Sequence, residues 1–185
     1  MKKIYFITSN KGKTIEAKQK LSSVGIDVIQ KNLGYPEIQA DSLEEVATYG
    51  VECIQKKSDK SFILEDAGLF IDGLGGFPGV YSAYIFYTIG CEGILKLMKG
   101  MDDRKATFRS VFAYGQAVSK TKLFVGECKG TIAETMKGDN GFGYDPIFTP
   151  ENSTKTFAEM TTEEKNKHSH RGKSIDKLLD FFKIQ

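Results

Sequence analysis

The order of the apolar segments in the first 65 residues limits the fold of this chain more than any other feature. Residues 2–7 are predicted to form a strand, residues 12–23 a helix, and the residues around Asp27 to Gln30 a second strand. A second helix is predicted within residues 41–57, which carry one apolar stripe, and "SFILE" at 61–65 is a short apolar strand. Strands that alternate with helices favour an α/β fold with parallel strand pairs.

The pattern changes in the second part of the chain. Residues 106–134 read as two strands joined by a turn near Ser119 to Thr121, which predicts an antiparallel hairpin. Residues 88–100 are predicted to form a short helix, and the apolar face of residues 174–184 predicts a C-terminal helix. A chain of 185 residues without repeats or linkers suggests one domain, with room for two lobes.

The composition excludes several classes of protein. The net charge of +2 does not indicate an extended surface for nucleic acid or membranes, although a small anionic ligand needs only a local cluster of cations. Cys53, Cys91 and Cys128 are far apart, which argues against a zinc site or a disulfide framework and favours a reducing environment. No apolar run resembles a signal peptide or could span a bilayer. We therefore expect a cytoplasmic protein.

The segment "ITSNKGKT" at residues 7–14 ends as a phosphate-binding P-loop does. A P-loop also needs a glycine five residues before Gly12, and this chain has isoleucine there, so the strict motif is absent. A helix capped by Asn10 or Ser9 would still offer free N–H groups to an anion, and two lysines add positive charge. The alternative is an ordinary capped helix with solvated lysines.

Two carboxylates, Glu65 and Asp66, follow the third predicted strand. Because strand residues alternate between faces, both side chains can share one site only if the strand ends there, and the small residues Ala67 and Gly68 favour such an end. A carboxylate at the end of a central strand lies where α/β proteins bind ligands. The alternative is a solvated strand end.

Two later segments combine glycine, aromatic and cationic residues. In residues 138–148, glycines surround Phe142 and would let the backbone approach a base that stacks on the ring; the alternative is a turn with its aromatic rings in the core. Residues 160–174 are rich in Lys, His and Arg, and Gly172 predicts a break that leaves a donor-rich pocket edge; the alternative is a solvated basic helix. Phosphate donors, acids, an aromatic loop and donors together suit a nucleoside triphosphate with Mg²⁺.

In this order, these segments resemble the motifs of the inosine triphosphate pyrophosphatase family. They are "TSNKGK" at 8–13, "EDAGL" at 65–69 with "GGFPGVYSA" at 75–83, "GFGYDPIF" at 141–148 and "MTTEEKNKHSHRGK" at 160–173. The sequence of the segment "YPEIQADSLEEVA" is most similar to that of archaeal and eukaryotic members. The resemblance implies a long mixed central sheet flanked by helices. It also implies a single domain over residues 1–185, with two lobes around a nucleotide-binding cleft, and usually a homodimer.

The resemblance also implies an activity and a set of site residues. The activity is Mg²⁺-assisted hydrolysis of ITP, dITP and XTP to the nucleoside monophosphate and pyrophosphate. Asp66 would accept a proton from the attacking water, and Lys13 would stabilise negative charge on the leaving pyrophosphate. The metal ligands would be Glu37, Asp66 and Glu65. The substrate-binding residues would be Thr8, Ser9, Asn10, Lys11, Gly12, Lys13, Ala67, Phe142, Gly143, Tyr144, Asp145, Lys165, His170 and Arg171.

Base selectivity follows from hydrogen-bond donors. Arg171 or His170 would donate to O6 of hypoxanthine or xanthine, whereas the amino group of adenine would leave those donors unpaired. Two positions depart from the family pattern: Ala67 replaces a frequent serine, and Tyr84 replaces an arginine common in bacterial members. The rival interpretations are a pyrophosphatase for modified pyrimidine or standard nucleotides and a non-catalytic nucleotide sensor. "SHR" with "FGYDP" argues against the first, and the retained catalytic groups argue against the second.

Overall fold

A computed structural model describes residues 2–36, 38–117 and 119–184. Among these residues, six strands form one sheet: β1 (Lys2–Ile7), β2 (Ile26–Lys31), β3 (Phe62–Ile71), β4 (Lys105–Gly115), β5 (Lys122–Ile132) and β6 (Phe148–Pro150). The strand order is β2-β1-β3-β4-β5-β6. Strand β1 pairs in parallel with β2 and β3, while β5 and β6 pair antiparallel. The predicted α/β class with a mixed sheet is confirmed.

The helices are α1 (Lys11–Ser22), α2 (Leu43–Gln55), α3 (Ser82–Leu97), α4 (Thr162–His168) and α5 (His170–Ile184). Helix α1 connects β1 to β2 and α2 connects β2 to β3, which gives the crossovers that parallel pairs require. Of the two cap residues expected for α1, Asn10 is the cap, because its side chain accepts from the Lys13 N–H. Helix α2 is capped in the same way, with Ser42 Oγ accepting from the Glu45 N–H. Within the described ranges, no helix combines the length and the apolar character needed to cross a bilayer.

The chain divides into two compact units. Unit 1 contains the residues up to Asp66, Ser110–Gly126, and the residues from Arg171 onward; unit 2 contains Ala67–Arg109 and Glu127–His170. In the core of unit 1, Leu21 of α1 and Leu178 of α5 pack with Ile63 of β3. In the core of unit 2, Cys91 and Ile94 of α3 pack with Phe108, Phe148 and Phe157. That the chain is a single domain with two lobes stays a prediction.

Strand β3 is longer than predicted. It continues to Ile71, so Glu65 and Asp66 lie within the strand and not at its end. The small residues Ala67 and Gly68 do not end the strand because the chain packs closely beside them: a Cβ on Gly68 would collide with the carbonyl of Gly79. The expectation that the two carboxylates share one site at a strand end is therefore wrong.

Two helix boundaries also differ from the prediction. Helix α3 begins at Ser82 instead of residue 88, and Gly90, with φ 63° and ψ −167°, interrupts it. Its first part is rich in aromatic and β-branched residues, which form helices weakly, so the sequence pattern misses it. The break predicted at Gly172 occurs instead at Ser169, which has extended backbone between α4 and α5. Gly172 lies inside α5.

Strands β4 and β5 are neighbours in the sheet, as the predicted hairpin requires. Residues 116–121 connect them, and this connection is too short for a parallel crossover, which needs about a dozen residues or more. The turn predicted near Ser119 to Thr121 falls within this connection.

Candidate active site

The segment from Thr8 to Lys13 connects the carboxyl end of β1 to the first turn of α1. The Thr8 N–H donates to the carbonyl of Lys31 at 3.1 Å, and the Asn10 N–H donates to Thr8 Oγ1 at 3.1 Å. Ser9 is exposed between them. The segment therefore lies at a helix N-terminus, where backbone N–H groups and the helix dipole favour an anion.

Lys13 is held against β3. Its Nζ lies 2.8 Å from Glu65 Oε2 and donates to the backbone carbonyl of Glu65 at 3.1 Å. That carbonyl belongs to the peptide bond between Glu65 and Asp66. The alternative of solvated lysines is therefore wrong for Lys13, whereas Lys11 is exposed.

A buried ionic network joins α1, β3 and α5 within unit 1. Arg171 Nη2 donates to Glu65 Oε1 at 3.0 Å, and its Nη1 donates to Glu16 Oε2 at 2.5 Å. Ser110 Oγ also donates to Glu65 Oε1, at 2.7 Å, and lies 3.0 Å from Ser174 Oγ. All five side chains are buried, and with Lys13 at Glu65 Oε2 two cations face two carboxylates, so the charges balance.

The network determines the ionisation of Glu65. Burial alone would raise the pKa of this carboxyl, but the charges of Arg171 and Lys13 outweigh burial and lower the pKa to about 2. Burial opposes the charge of Arg171 as well, yet Glu65 and Glu16 raise the pKa of its guanidinium above the ordinary value. Glu65 is therefore ionised at neutral pH, with both oxygens directed to cations.

Sequence reasoning missed Glu16 and Ser110. Glu16 lies three residues after Lys13, so a helix places both on one side, and this spacing was the available signal. Ser110 is a small polar residue within the apolar strand β4. Neither signal identifies the partner, because Arg171 is 155 residues from Glu16 in the sequence.

Asp66 lies on the other face of β3 from Glu65. Ile63 and Glu65 face α1 and α5, as shown by the core contacts of Ile63 and the ion pairs of Glu65. Leu64 packs near Gly50 of α2, so Asp66 is on the α2 face, where its side chain is half-buried.

In unit 2, the turn from Phe142 to Asp145 is closed by the Asp145 carboxylate. Asp145 Oδ2 accepts from the Phe142 N–H at 2.8 Å and from Lys165 Nζ at 2.5 Å. The Lys165 ammonium also lies 4.8 Å from the centroid of the Phe142 ring. Gly141 has a φ of 77°, and a Cβ there would collide with the Asp145 carboxylate, so the turn requires glycine.

Two side-chain hydrogen bonds connect this turn to α3. The Tyr144 hydroxyl donates to the carbonyl of Ser82 at 3.1 Å, and Cys91 Sγ lies 3.5 Å from the carbonyl oxygen of Gly143. Burial raises the pKa of the Cys91 thiol to about 11, and the charge of Asp145 adds to this effect. The thiol is therefore neutral and able to donate. Tyr144 is in the core, as the structural alternative for this segment expected, whereas Phe142 is only half-buried.

The polar segment near the C-terminus separates into buried and exposed cations. His170 is buried, and its ring stacks on Phe108 with a centroid distance of 4.5 Å and an interplanar angle of 10°. Lys165 is buried in its ion pair, and Arg171 is buried in the network of unit 1. The solvated basic helix therefore describes Lys167, His168 and Lys173, but not the three residues assigned to the site.

Comparison with known protein families shows that residues 4–181 match the Ham1 family. The chain belongs to this family. It is 50% identical to a dITP/XTP pyrophosphatase of Thermococcus kodakarensis, over 98% of this chain and 97% of that protein. It is 51% identical to a dITP/XTP pyrophosphatase of Methanopyrus kandleri, over 98% and 96% respectively. The solved structure of the Staphylococcus aureus Ham1 protein is 32% identical over 98% of both chains, with a TM-score of 0.84. The family predicted from the four motifs is confirmed.

The carboxylates of this Ham1 family member differ in their fit to a metal ion. Mg²⁺ binds oxygen ligands, and the half-buried carboxylate of Asp66 suits that role. Glu65 fits less well because Lys13 and Arg171 already contact its oxygens. Glu37, the third predicted ligand, lies outside the described residues. Among the residues that the structure describes, no group of three or more His, Cys, Asp or Glu side chains is arranged to hold a metal ion.

Proposed function

We propose that this Ham1 family member hydrolyses ITP, dITP and XTP to the nucleoside monophosphate and pyrophosphate, and so removes noncanonical purines from the nucleotide pool. The relatives that are 50% and 51% identical over nearly the whole chain carry the name dITP/XTP pyrophosphatase, which supports this activity. The observation that carries the proposal is the 3.1 Å hydrogen bond from Lys13 Nζ to the Glu65 carbonyl. It brings the lysine of the phosphate motif to the peptide bond that leads into Asp66.

In unit 1, the residues would act on the triphosphate. Asp66 accepts the proton of the attacking water, which is typically worth about 10²–10⁴ in rate. Lys13 stabilises the negative charge that develops on the leaving pyrophosphate. The remaining phosphate contacts come from the first-turn amides of α1 and from the residues Thr8, Ser9, Asn10, Lys11 and Gly12. Ala67 can contribute only its backbone, because it has no hydroxyl.

The buried network gives Glu65, Glu16 and Arg171 a positioning role in this scheme. Glu65 binds Lys13 on one oxygen and Arg171 on the other. It would thereby hold the Lys13 ammonium in place for the leaving pyrophosphate. We assign the O6 contact to His170 and not to Arg171, because His170 belongs to unit 2 with the turn, whereas the buried guanidinium is held by two carboxylates of unit 1. This assignment narrows the two donors expected from the sequence to one.

In unit 2, the residues would act on the nucleoside. Phe142 is half-buried and offers its ring for stacking, and Gly143 allows close approach of the backbone. Lys165 and Asp145 close the turn through their ion pair, and Tyr144 anchors it in the core. A purine with a 6-amino group would leave the His170 donor unpaired, which costs about 1–3 kcal/mol.

Mg²⁺ is the proposed cofactor, and Asp66 with Glu37 would hold it. When bound, the ion neutralises charge on the triphosphate and on the leaving pyrophosphate. We assign Glu65 to the support of Lys13 in place of metal binding, because its oxygens are paired with cations.

We also propose a homodimer, with the two compact units as the lobes of one domain. Exposed aromatic residues lie in and before the first part of α3: Tyr84 is 71% exposed, Tyr87 is 82% exposed, and Tyr81 and Phe77 are also exposed. Large exposed apolar patches mark interaction surfaces. A second copy of the chain is the occupant that the family resemblance implies.

The test of the proposed activity is pyrophosphate release from ITP, XTP, GTP, ATP and dTTP, measured side by side with Mg²⁺. We expect fast release from ITP and XTP alone. Release from pyrimidine or standard nucleotides would keep Asp66 as the base and overturn the role of His170. Binding of ITP without release from any nucleotide would overturn the enzyme and favour a nucleotide sensor.

A further inference from the structure

A cavity of about 560 Å³ lies within unit 2, between the break in α3 and the turn from Phe142 to Asp145, which we call the nucleobase turn. On α3 it is lined by Ile89, Gly90 and Cys91, and on the turn by Phe142 and Gly143. The nucleobase turn therefore faces open space on this side. Contacts elsewhere in the turn must determine its position.

Two hydrogen bonds provide such contacts, one from each part of α3. The Tyr144 hydroxyl reaches the carbonyl of Ser82, the first residue of the helix, and the Cys91 thiol reaches the carbonyl of Gly143 from beyond the break. The ring of Phe86 also contacts that of Tyr144 edge-on, with a centroid distance of 5.3 Å.

Both anchor residues are themselves fixed. Ser82 Oγ accepts from the Leu69 N–H at 2.8 Å and donates to the Gly79 carbonyl at 2.6 Å. These bonds hold Ser82 against β3 and against the backbone that precedes α3. Cys91 is in the core of unit 2 with Ile94. A turn that is tethered to two fixed points can keep one position beside a cavity.

We propose that Ser82 and Cys91 are positioning residues for the nucleobase turn, and that α3 thereby determines how tightly this turn binds a purine. The proposal rests on the proposed function. Its prediction is specific: loss of either tether should weaken substrate binding with little effect on the chemical step, because Asp66 and Lys13 belong to unit 1.

The first test removes the thiol. The Cys91→Ala variant should raise KM for ITP about three- to tenfold, the range of a lost hydrogen bond, with kcat within about twofold of wild type. Cys91→Ser keeps a donor and should restore most of the affinity. Cys128→Ala is the matched control, because Cys128 is also a buried cysteine in the core of unit 2.

The second test removes only the hydroxyl of Tyr144. The Tyr144→Phe variant should raise KM by a similar factor and leave kcat unchanged. Tyr114→Phe is its control, because Tyr114 is also buried and its hydroxyl lies 3.2 Å from both Ser61 Oγ and Gln116 Oε1 within unit 1. Melting temperatures of all five variants separate a general loss of stability from a specific loss of affinity.

Each outcome decides one of the two proposals. A higher KM for Cys91→Ala and Tyr144→Phe, with rescue by Cys91→Ser and normal KM for both controls, supports the tethers. Equal KM values for the Cys91→Ala and Cys128→Ala variants, in a wild-type enzyme that hydrolyses ITP, would overturn this inference alone. No hydrolysis of ITP by the wild-type protein would overturn the proposed function and this inference with it.

Discussion

Arg171 Nη2 and Glu65 Oε1 lie 3.0 Å apart although the two residues are 106 positions apart in the sequence. Both side chains are almost completely buried, with 2% and 0% of their surface exposed. A buried charge without a partner is strongly unfavourable, so each residue depends on the other. Because Glu65 also holds Lys13, the ion pair links the stability of unit 1 to the position of a proposed catalytic residue.

Removal of the Arg171 cation should destabilise the protein. The Arg171→Met variant leaves Glu16 and Glu65 buried without this partner, so we expect the free energy of unfolding to fall by about 3–5 kcal/mol. Chemical denaturation monitored by circular dichroism measures this value. Lys183→Met is the control, because Lys183 pairs with Asp180 at the surface and should change stability by less than about 1 kcal/mol. Equal losses in the two variants would contradict the role of the network.

The lowered pKa of Glu65 predicts that the free energy of unfolding decreases at acid pH. The pKa is about 2 in the folded state against an ordinary value of 4.5. A lowered pKa means that the ionised carboxylate stabilises the fold above about pH 4.5 and that this stabilisation is lost as the pH falls toward 2. Urea denaturation across this range should show a smaller pH dependence for Glu65→Gln than for wild type. The same slope in both proteins would rule out Glu65 as the source.

Asp66 is the residue on which the proposed chemistry depends. The Asp66→Asn variant should reduce turnover of ITP by at least about 10²-fold, because the amide cannot accept the proton of water. Calorimetry should show that the variant still binds ITP. Asp102→Asn, a change at an exposed aspartate, serves as the control. Near-normal turnover in the Asp66→Asn variant would refute the assignment.

The Lys165–Asp145 ion pair should matter for both affinity and stability. Both side chains are 3% exposed, so the Lys165→Met variant leaves the buried Asp145 carboxylate without its cation and should lose about 3–5 kcal/mol of stability. Displacement of the turn should also raise KM for ITP, by up to about 10²-fold. Thermal melts and steady-state kinetics measure the two effects. Lys167→Met is the control, since Lys167 is 62% exposed in its pair with Glu163. An unchanged KM for Lys165→Met would show that the pair does not hold the turn.

The exposed aromatic residues of α3 predict that lysine substitutions there convert the proposed dimer to a monomer. Sedimentation equilibrium should give twice the mass of one chain for the wild-type protein. The double variant Tyr84→Lys with Tyr87→Lys should sediment as a single chain with an unchanged circular dichroism spectrum, because charges at these exposed positions disfavour an apolar interface. A monomeric wild-type protein would contradict the proposed dimer.

Local features of the fold were predictable from the sequence because they depend on neighbouring residues. The Asn10 and Ser42 caps and the buried apolar face of α5 follow from side chains within one or two turns of the helix. The end of β3 was not predictable in the same way. Whether Ala67 and Gly68 end a strand or continue it depends on the Gly79 backbone packed against it, and no local pattern encodes that contact.

In the candidate site, too, local features were predictable from the sequence and long-range contacts were not. The motifs identified Lys13, Lys165 and Arg171 as cations of interest, but their spacing could not distinguish a solvated side chain from a buried one. The difference comes from partners that are distant in sequence, such as Glu65 for Lys13, 52 positions away. Glu16 was missed for the same reason, since only the folded chain brings it to Arg171.

The division of the chain between the two units has a consequence for protein synthesis. Unit 1 takes its last segment from the residues after His170, so it cannot be completed until those residues have left the ribosome. Until then, Glu16 and Glu65 lack the guanidinium that pairs with both carboxylates. A chain terminated before Arg171 therefore has two acidic side chains that oppose burial, and we expect it to leave the core of unit 1 incomplete.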